Sequence, residues 1–225
     1  MILHLTEKPD AKRDAETLRE AAALIREDPN RKGALLEFGA AGQLIMTGDM
    51  HGSVRNFEKL QRYCQLERSP ARSVVLHELI HTELDYSTRR DDSINLLVRA
   101  AEWKCKYPDN VFFLQSNHEL AQWKRQEITK GGRSVLDDFD QGVRAAYGGG
   151  ADTVMSAVDE YIAALPLAAR TRNGVFMSHS LPDPLMFDML DMSLFEREPT
   201  ESELSPGGLA YSLVWGRFHS AEAIE

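Results

Sequence analysis

Four short segments of this chain carry side chains able to bind cations or move protons. They are Gly48-Asp49-Met50-His51-Gly52, His77-Glu78, Ser116-Asn117-His118-Glu119 and Ser178-His179-Ser180. Each follows an apolar run: Gln43 to Thr47, Ser73 to Leu76, Val111 to Leu114 and Gly174 to Met177. Singly the clusters are weak, since an Asp-x-His pair is commonly two surface residues and Asn-His-Glu suits the start of a capped helix. Their repetition after four strand-like runs is the informative feature, because sites in open α/β sheets form beyond the carboxyl ends of the strands. The mixed set of Asp, His, Glu, Asn and His suits Mn, Fe or Zn, and a carboxylate between two sites bridges a metal pair. Gly48 and Gly52 would let the backbone turn sharply beside a ligand.

The elements that must position these groups are legible as an alternation. Apolar residues at helical spacing mark helices over Asp10 to Glu27, Val54 to Gln65, Asp91 to Lys106, Ser134 to Tyr147 and Thr153 to Leu165. With the four runs between them they read as an α/β domain with short buried strands and helices outside. Residues 181–208 read as a long loop or lid, in which Met186, Met189 and Met192 are expected to fill one face of a short helix.

The remaining features exclude more than they assign. A chain of 225 residues fits one large domain and buries a core without staples. A net charge of −9 argues against general nucleic-acid binding, which needs clustered basic side chains. No stretch has the roughly 18 apolar residues of a membrane span, and the N-terminal sequence has no apolar leader core. Cys64 and Cys105, outside any ligand-spaced cluster, read as reduced thiols, so a cytoplasmic protein is expected. The sequence leaves the oligomeric state open.

GDMHG at 48–52 resembles the GDxHG motif of the calcineurin-like metallophosphoesterases, and SNHE at 116–119 resembles their GNHE. FMSHSLP at 176–182 is similar to the segment with a later His ligand, and VWGR at 214–217 to a segment of the phosphoprotein-phosphatase-like branch. The resemblance implies a β-sandwich flanked by helices, in four αββα layers, holding two divalent metal ions (Mn, Fe or Zn). Asp49 and His51 would bind the first, Asn117 and His179 the second, with Glu78 bridging. His118 would be the general acid and Arg217 would clasp the phosphate. The implied reaction is in-line attack on phosphorus by a water between the ions, with a phosphoprotein or a dinucleoside polyphosphate as substrate. The ions would also supply positive charge that an acidic protein lacks.

The sequence departs from that pattern in three ways. Glu78 stands where the family has its bridging Asp. His81 and Thr82 replace the Asp that orients the general acid and the Arg beside it, leaving Glu83 or Asp85 as alternative orienters. One further His ligand is missing, and the sequence ends nine residues after Gly216, with only His219 nearby. Two accounts stay open: a single domain over 1–225 cut short at its C-terminal end, or a second metal with fewer protein ligands. Two rival functions also follow. His77-Glu78-Leu79-Ile80-His81 spells the H-E-x-x-H of zinc peptidases, with Glu102 as third ligand, provided it lies in a helix. The altered second motif equally suits a non-catalytic binding module.

Overall fold

The computed structural model describes residues 8–82 and 90–217. Helix α1 (Ala11–Arg26) starts where the Asp10 side chain accepts the Arg13 amide, and it buries Ala15, Leu18, Ala22 and Ile25 along one stripe. Strands β1 (Arg31–Lys32), β2 (Leu35–Phe38) and β3 (Gln43–Met46) follow, then α2 (Val54–Cys64), β4 (Arg72–Leu76), α3 (Ile94–Lys106) and β5 (Val111–Phe113). Next come α4 (Asn117–Lys124), the hairpin β6 (Thr129–Lys130) with β7 (Arg133–Ser134), then α5 (Val135–Tyr147) and α6 (Ala151–Ile162). Strands β8 (Ala168–Thr171) and β9 (Phe176–Ser178) precede two short helices, α7 (Pro184–Asp188) and α8 (Leu209–Trp215).

Strands β3, β4 and β5 form one parallel sheet. A second sheet has the order β1-β2-β8-β9, with β2 and β8 parallel and the outer pairs antiparallel. Strand alternation sorts the side chains into layers. Val74, Leu76, Val111 and Phe113 pack against Leu18, Leu97 and Val154 of the helices. Val75 and Phe112 face Leu36, Phe38, Ala169 and Met177 between the sheets, where Phe38 meets Phe112 edge-on at 4.8 Å between centroids. Leu35 and Ala168 turn the other way, onto Leu194, Leu213 and Val214. The result is helix, sheet, sheet, helix: the expected four-layer αββα sandwich.

Several details differ from the sequence reading. The fourth apolar run becomes β9 of the second sheet, paired antiparallel to β8 across a turn at Gly174, so two sheets converge on the site. The methionines share no buried face. Helix α7 stops at Asp188, Asp191 caps a separate 3-10 turn, and Met189 and Met192 are 65% and 45% exposed. Cys64 and Cys105 are free thiols, each pushed up to about 11 by burial. No helix of the described residues is long and apolar enough to cross a membrane.

Candidate metal centre

The loops after β3 and β4 are stitched together by their backbones. The Met50 and His51 N–H groups both donate to the Glu78 carbonyl at 2.9 Å, and the Gly52 N–H donates to the Leu79 carbonyl at 2.8 Å. From α4, the Glu119 carboxylate accepts the Leu79 N–H at 2.6 Å, while the His81 N–H donates to Ser93 Oγ at 3.0 Å. Gly52 has φ of +70°, and a Cβ there would run into Thr82 Oγ1 and Ser93 Cβ. Gly52→Ala is therefore expected to lose about 1–3 kcal/mol of stability, the scale of a strained backbone residue, measurable by urea denaturation.

Three described non-glycine residues outside helix caps have left-handed backbones, and all belong to these loops: His51 (φ 40°), Glu78 (50°) and His81 (60°). Such conformations persist where surrounding contacts over-determine them, and they cluster at functional sites. They also decide the H-E-x-x-H question. Because β4 runs to Leu76, residues 77–81 form a loop, and His77 and His81 cannot share a helix face. The zinc-peptidase reading is thus corrected, and Glu102 lines a separate cavity with Arg13 and Asn95.

The structure brings Asp, His and Glu side chains together, in pairings other than those the resemblance implies. Ligand atoms of Asp49, His77, Glu78 and His179 lie within 4.8 Å of one another, and so do those of His51, Glu78 and His118. Asp49 therefore groups with His179, and His51 with His118; Glu78 belongs to both sets. Its Oε1 lies 2.9 Å from His51 Nε2 and 3.6 Å from His118 Nε2, and its Oε2 lies 3.0 Å from His179 Nε2. His77 Nδ1 is 3.1 Å from His179 Nδ1 and 3.6 Å from Asp49 Oδ1. His77 stands in one of the four strand-end clusters read from the sequence, but the two-metal ligand set implied there did not include it; its place directly after β4 was the available signal.

Two of these imidazoles are oriented by backbone carbonyls. His51 Nδ1 donates to the Ile80 carbonyl at 3.2 Å, and His77 Nε2 donates to that of Thr47 at 2.9 Å. Each then turns its other nitrogen to the cluster, the arrangement that fixes the tautomer of metal-bound histidines. Glu78 is buried, which works to raise its carboxyl, yet the histidines around it prevail and hold it below the usual carboxylate range. Its hydrogen bond raises His51. Burial lowers His179, takes His81 to about 4 and His118 to about 3, so these rings stay neutral near pH 7.

The donor set also fits cations by what it leaves unsatisfied. Asn117 Oδ1 is a buried atom with no hydrogen-bond partner among the described residues. Such orphans are uncommon in proteins and call for a ligand. Asp49, its side chain 51% exposed, marks the mouth, while Glu78, at 4%, forms the floor. Arg217 stands at the rim, donating to the Gly216 carbonyl at 3.0 Å, and its charge helps lower His179. Ser180 Oγ also donates to that carbonyl, at 2.6 Å, tying the VWGR segment to the His179 loop. Glu83, Asp85 and His219 lie outside the described residues. Surface cavities of about 380, 550 and 390 Å³ share no lining residue with the cluster; donor chemistry locates this site.

Fold and layer order together are those of a phosphatase-type α/β fold. A structurally similar protein is a serine/threonine phosphatase from Saccharomyces cerevisiae with similarity to human phosphatase PP5. The match has a TM-score of 0.61 and 16% identity over 92% of this chain. It covers 59% of that protein, so this chain spans about three-fifths of its neighbour's length. No family model matches the chain.

Proposed function

We propose that the protein is a dinuclear metal-dependent phosphoesterase. One observation carries the reading: a single buried carboxylate, Glu78, belongs to both ligand clusters. Asp49, His77, Asn117 and His179 would hold one divalent cation, His51 and His118 the other, with Glu78 between them. Adding His77 to the set supplies an imidazole that the sequence motifs lacked. Mn, Fe and Zn all suit these ligands. Two bound cations would neutralise phosphate oxygens and activate a water for in-line attack.

The protein's own groups do the positioning. Asp49 at the mouth and Arg217 at the rim would flank the approach, and the Arg217 guanidinium would take a non-reacting phosphate oxygen. Net charge of −9 makes these cations the main attraction for an anionic substrate. A phosphoprotein and a dinucleoside polyphosphate are both compatible substrates. The test is hydrolysis of an aryl phosphate with added Mn. Activity is expected to require the ion and to fall about 10²–10³-fold in Asp49→Asn, the scale of losing one charge-stabilising group. Bound metal without turnover on any phosphate ester would replace this reading with a binding module.

A further inference from the structure

His118 and Gln122 stand four residues apart on α4, so both side chains leave one face of the helix. His81 lies opposite them. Its Nδ1 is 2.7 Å from His118 Nδ1, and its Nε2 is 2.9 Å from Gln122 Oε1. The Gln122 amide nitrogen is 2.9 Å from Asp140 Oδ1, and Arg125 grips the same carboxylate with hydrogen bonds of 3.1 and 2.7 Å. The chain runs Arg125, Asp140, Gln122, His81, His118, and its outer end fixes every proton along it.

A carboxylate paired with a guanidinium only accepts. The Gln122 NH₂ must therefore face Asp140, and its carbonyl must face His81. That carbonyl also only accepts, so His81 carries a proton on Nε2. His81 is 2% exposed, and no carboxylate hydrogen-bonds its ring among the described residues. A second proton would leave a buried cation without a counter-charge, so its Nδ1 is bare. The one proton between the two Nδ1 atoms then belongs to His118, and His118 turns a bare Nε2 towards Glu78.

We propose that Asp140, Gln122 and His81 are positioning residues that lock His118 in its Nδ1–H tautomer, so that Nε2 enters the centre as a cation ligand rather than as the proton donor of the reaction. Backbone carbonyls do this for His51 and His77. For His118 a side-chain relay takes their place. The purpose of the relay rests on the two-cation reading, whereas its existence does not.

The experiment is long-range ¹H–¹⁵N correlation of the imidazole rings in the full chain, chelator-treated and at mildly alkaline pH. The chain has seven histidines, and His118 is assigned by the peaks lost in His118→Gln. The expected pattern is a protonated Nδ1 and a bare Nε2. Gln122→Leu, which removes the acceptor, should move His118 towards the Nε2–H form and weaken Mn binding about 10–100-fold, the usual range for such outer partners. Gln122→Met, of similar length and offering only a weak sulfur acceptor, should move the ring the same way and serves if the leucine variant fails to fold. Asp140→Asn, which lets the Gln122 amide turn over, should give a mixture. An Nε2–H ring in the unmodified protein, or an unchanged tautomer in both Gln122→Leu and Asp140→Asn, overturns the proposal. Phosphatase assays do not enter this readout, so the relay stands or falls apart from the catalytic reading.

Discussion

Glu78→Gln is expected to leave at most one cation bound and to lower phosphate-ester hydrolysis by at least about 10²–10³-fold. The reason is geometric. Oε1 faces His51 and His118 while Oε2 faces His179, so each oxygen serves a different ligand group. An amide keeps the shape but presents one oxygen and one NH₂, and an NH₂ does not bind a cation. His77→Ala removes a ligand from one group only, so it should lose less metal than Glu78→Gln. Elemental analysis after gel filtration gives both stoichiometries, and retention of two ions by both variants would sink the bridging role. The same contact predicts a pH effect. Glu78 raises His51 above the ordinary imidazole value, and a proton on His51 competes with a cation for Nε2. Metal affinity should therefore start to fall, as pH is lowered, at a higher pH in the wild type than in Glu78→Gln.

How much of this was legible beforehand follows from which contacts are local. Strands β3, β4 and β5 showed as apolar runs because parallel strands covered on both faces are apolar throughout, as Val74, Val75 and Leu76 are. Strands β2 and β8 escaped notice. Leu35 to Phe38 is interrupted by Glu37, and Ala168 to Thr171 offers two alanines and the half-exposed Arg170, so neither has a strong strand signature. Asp49, His51, Glu78, Asn117 and His179 were readable because each lies within a few residues of a strand end. Their pairing was not, because it depends on which loops are stitched together: the Glu78 carbonyl takes two amides of the loop after β3. His81 shows the limit most clearly. In sequence it completes a peptidase motif; in space a left-handed backbone turns it onto His118 and Gln122, residues 37 and 41 positions away.

Glu119 carries the second large expected effect. It is fully buried on the first turn of α4, where it accepts the Leu79 N–H at 2.6 Å and the Ile80 N–H at 3.4 Å, and also bonds Ser116 Oγ. This holds in place the loop whose left-handed residues, Glu78 and His81, shape both ligand groups. Burial, with the Glu78 charge nearby, pushes the Glu119 carboxyl up from 4.5 to about 7. The folded state therefore binds the proton more tightly than the unfolded chain. Its contribution to stability is complete below about pH 4.5 and is lost as pH rises through about 7, a change on the order of 3 kcal/mol. Glu119→Gln mimics the protonated acid, accepting from Leu79 and donating to Ser116. In chelator, its stability should equal that of the wild type at low pH and exceed it above neutrality. Glu119→Ala leaves the Leu79 amide and the Ser116 hydroxyl without their partner and should be about 2–5 kcal/mol less stable than Glu119→Gln at every pH. Denaturant titrations across that range separate the cases: parallel curves for wild type and Glu119→Gln would show that the buried carboxyl does not change its charge. An alanine variant as stable as the glutamine one would show that Glu119 does not brace the loop.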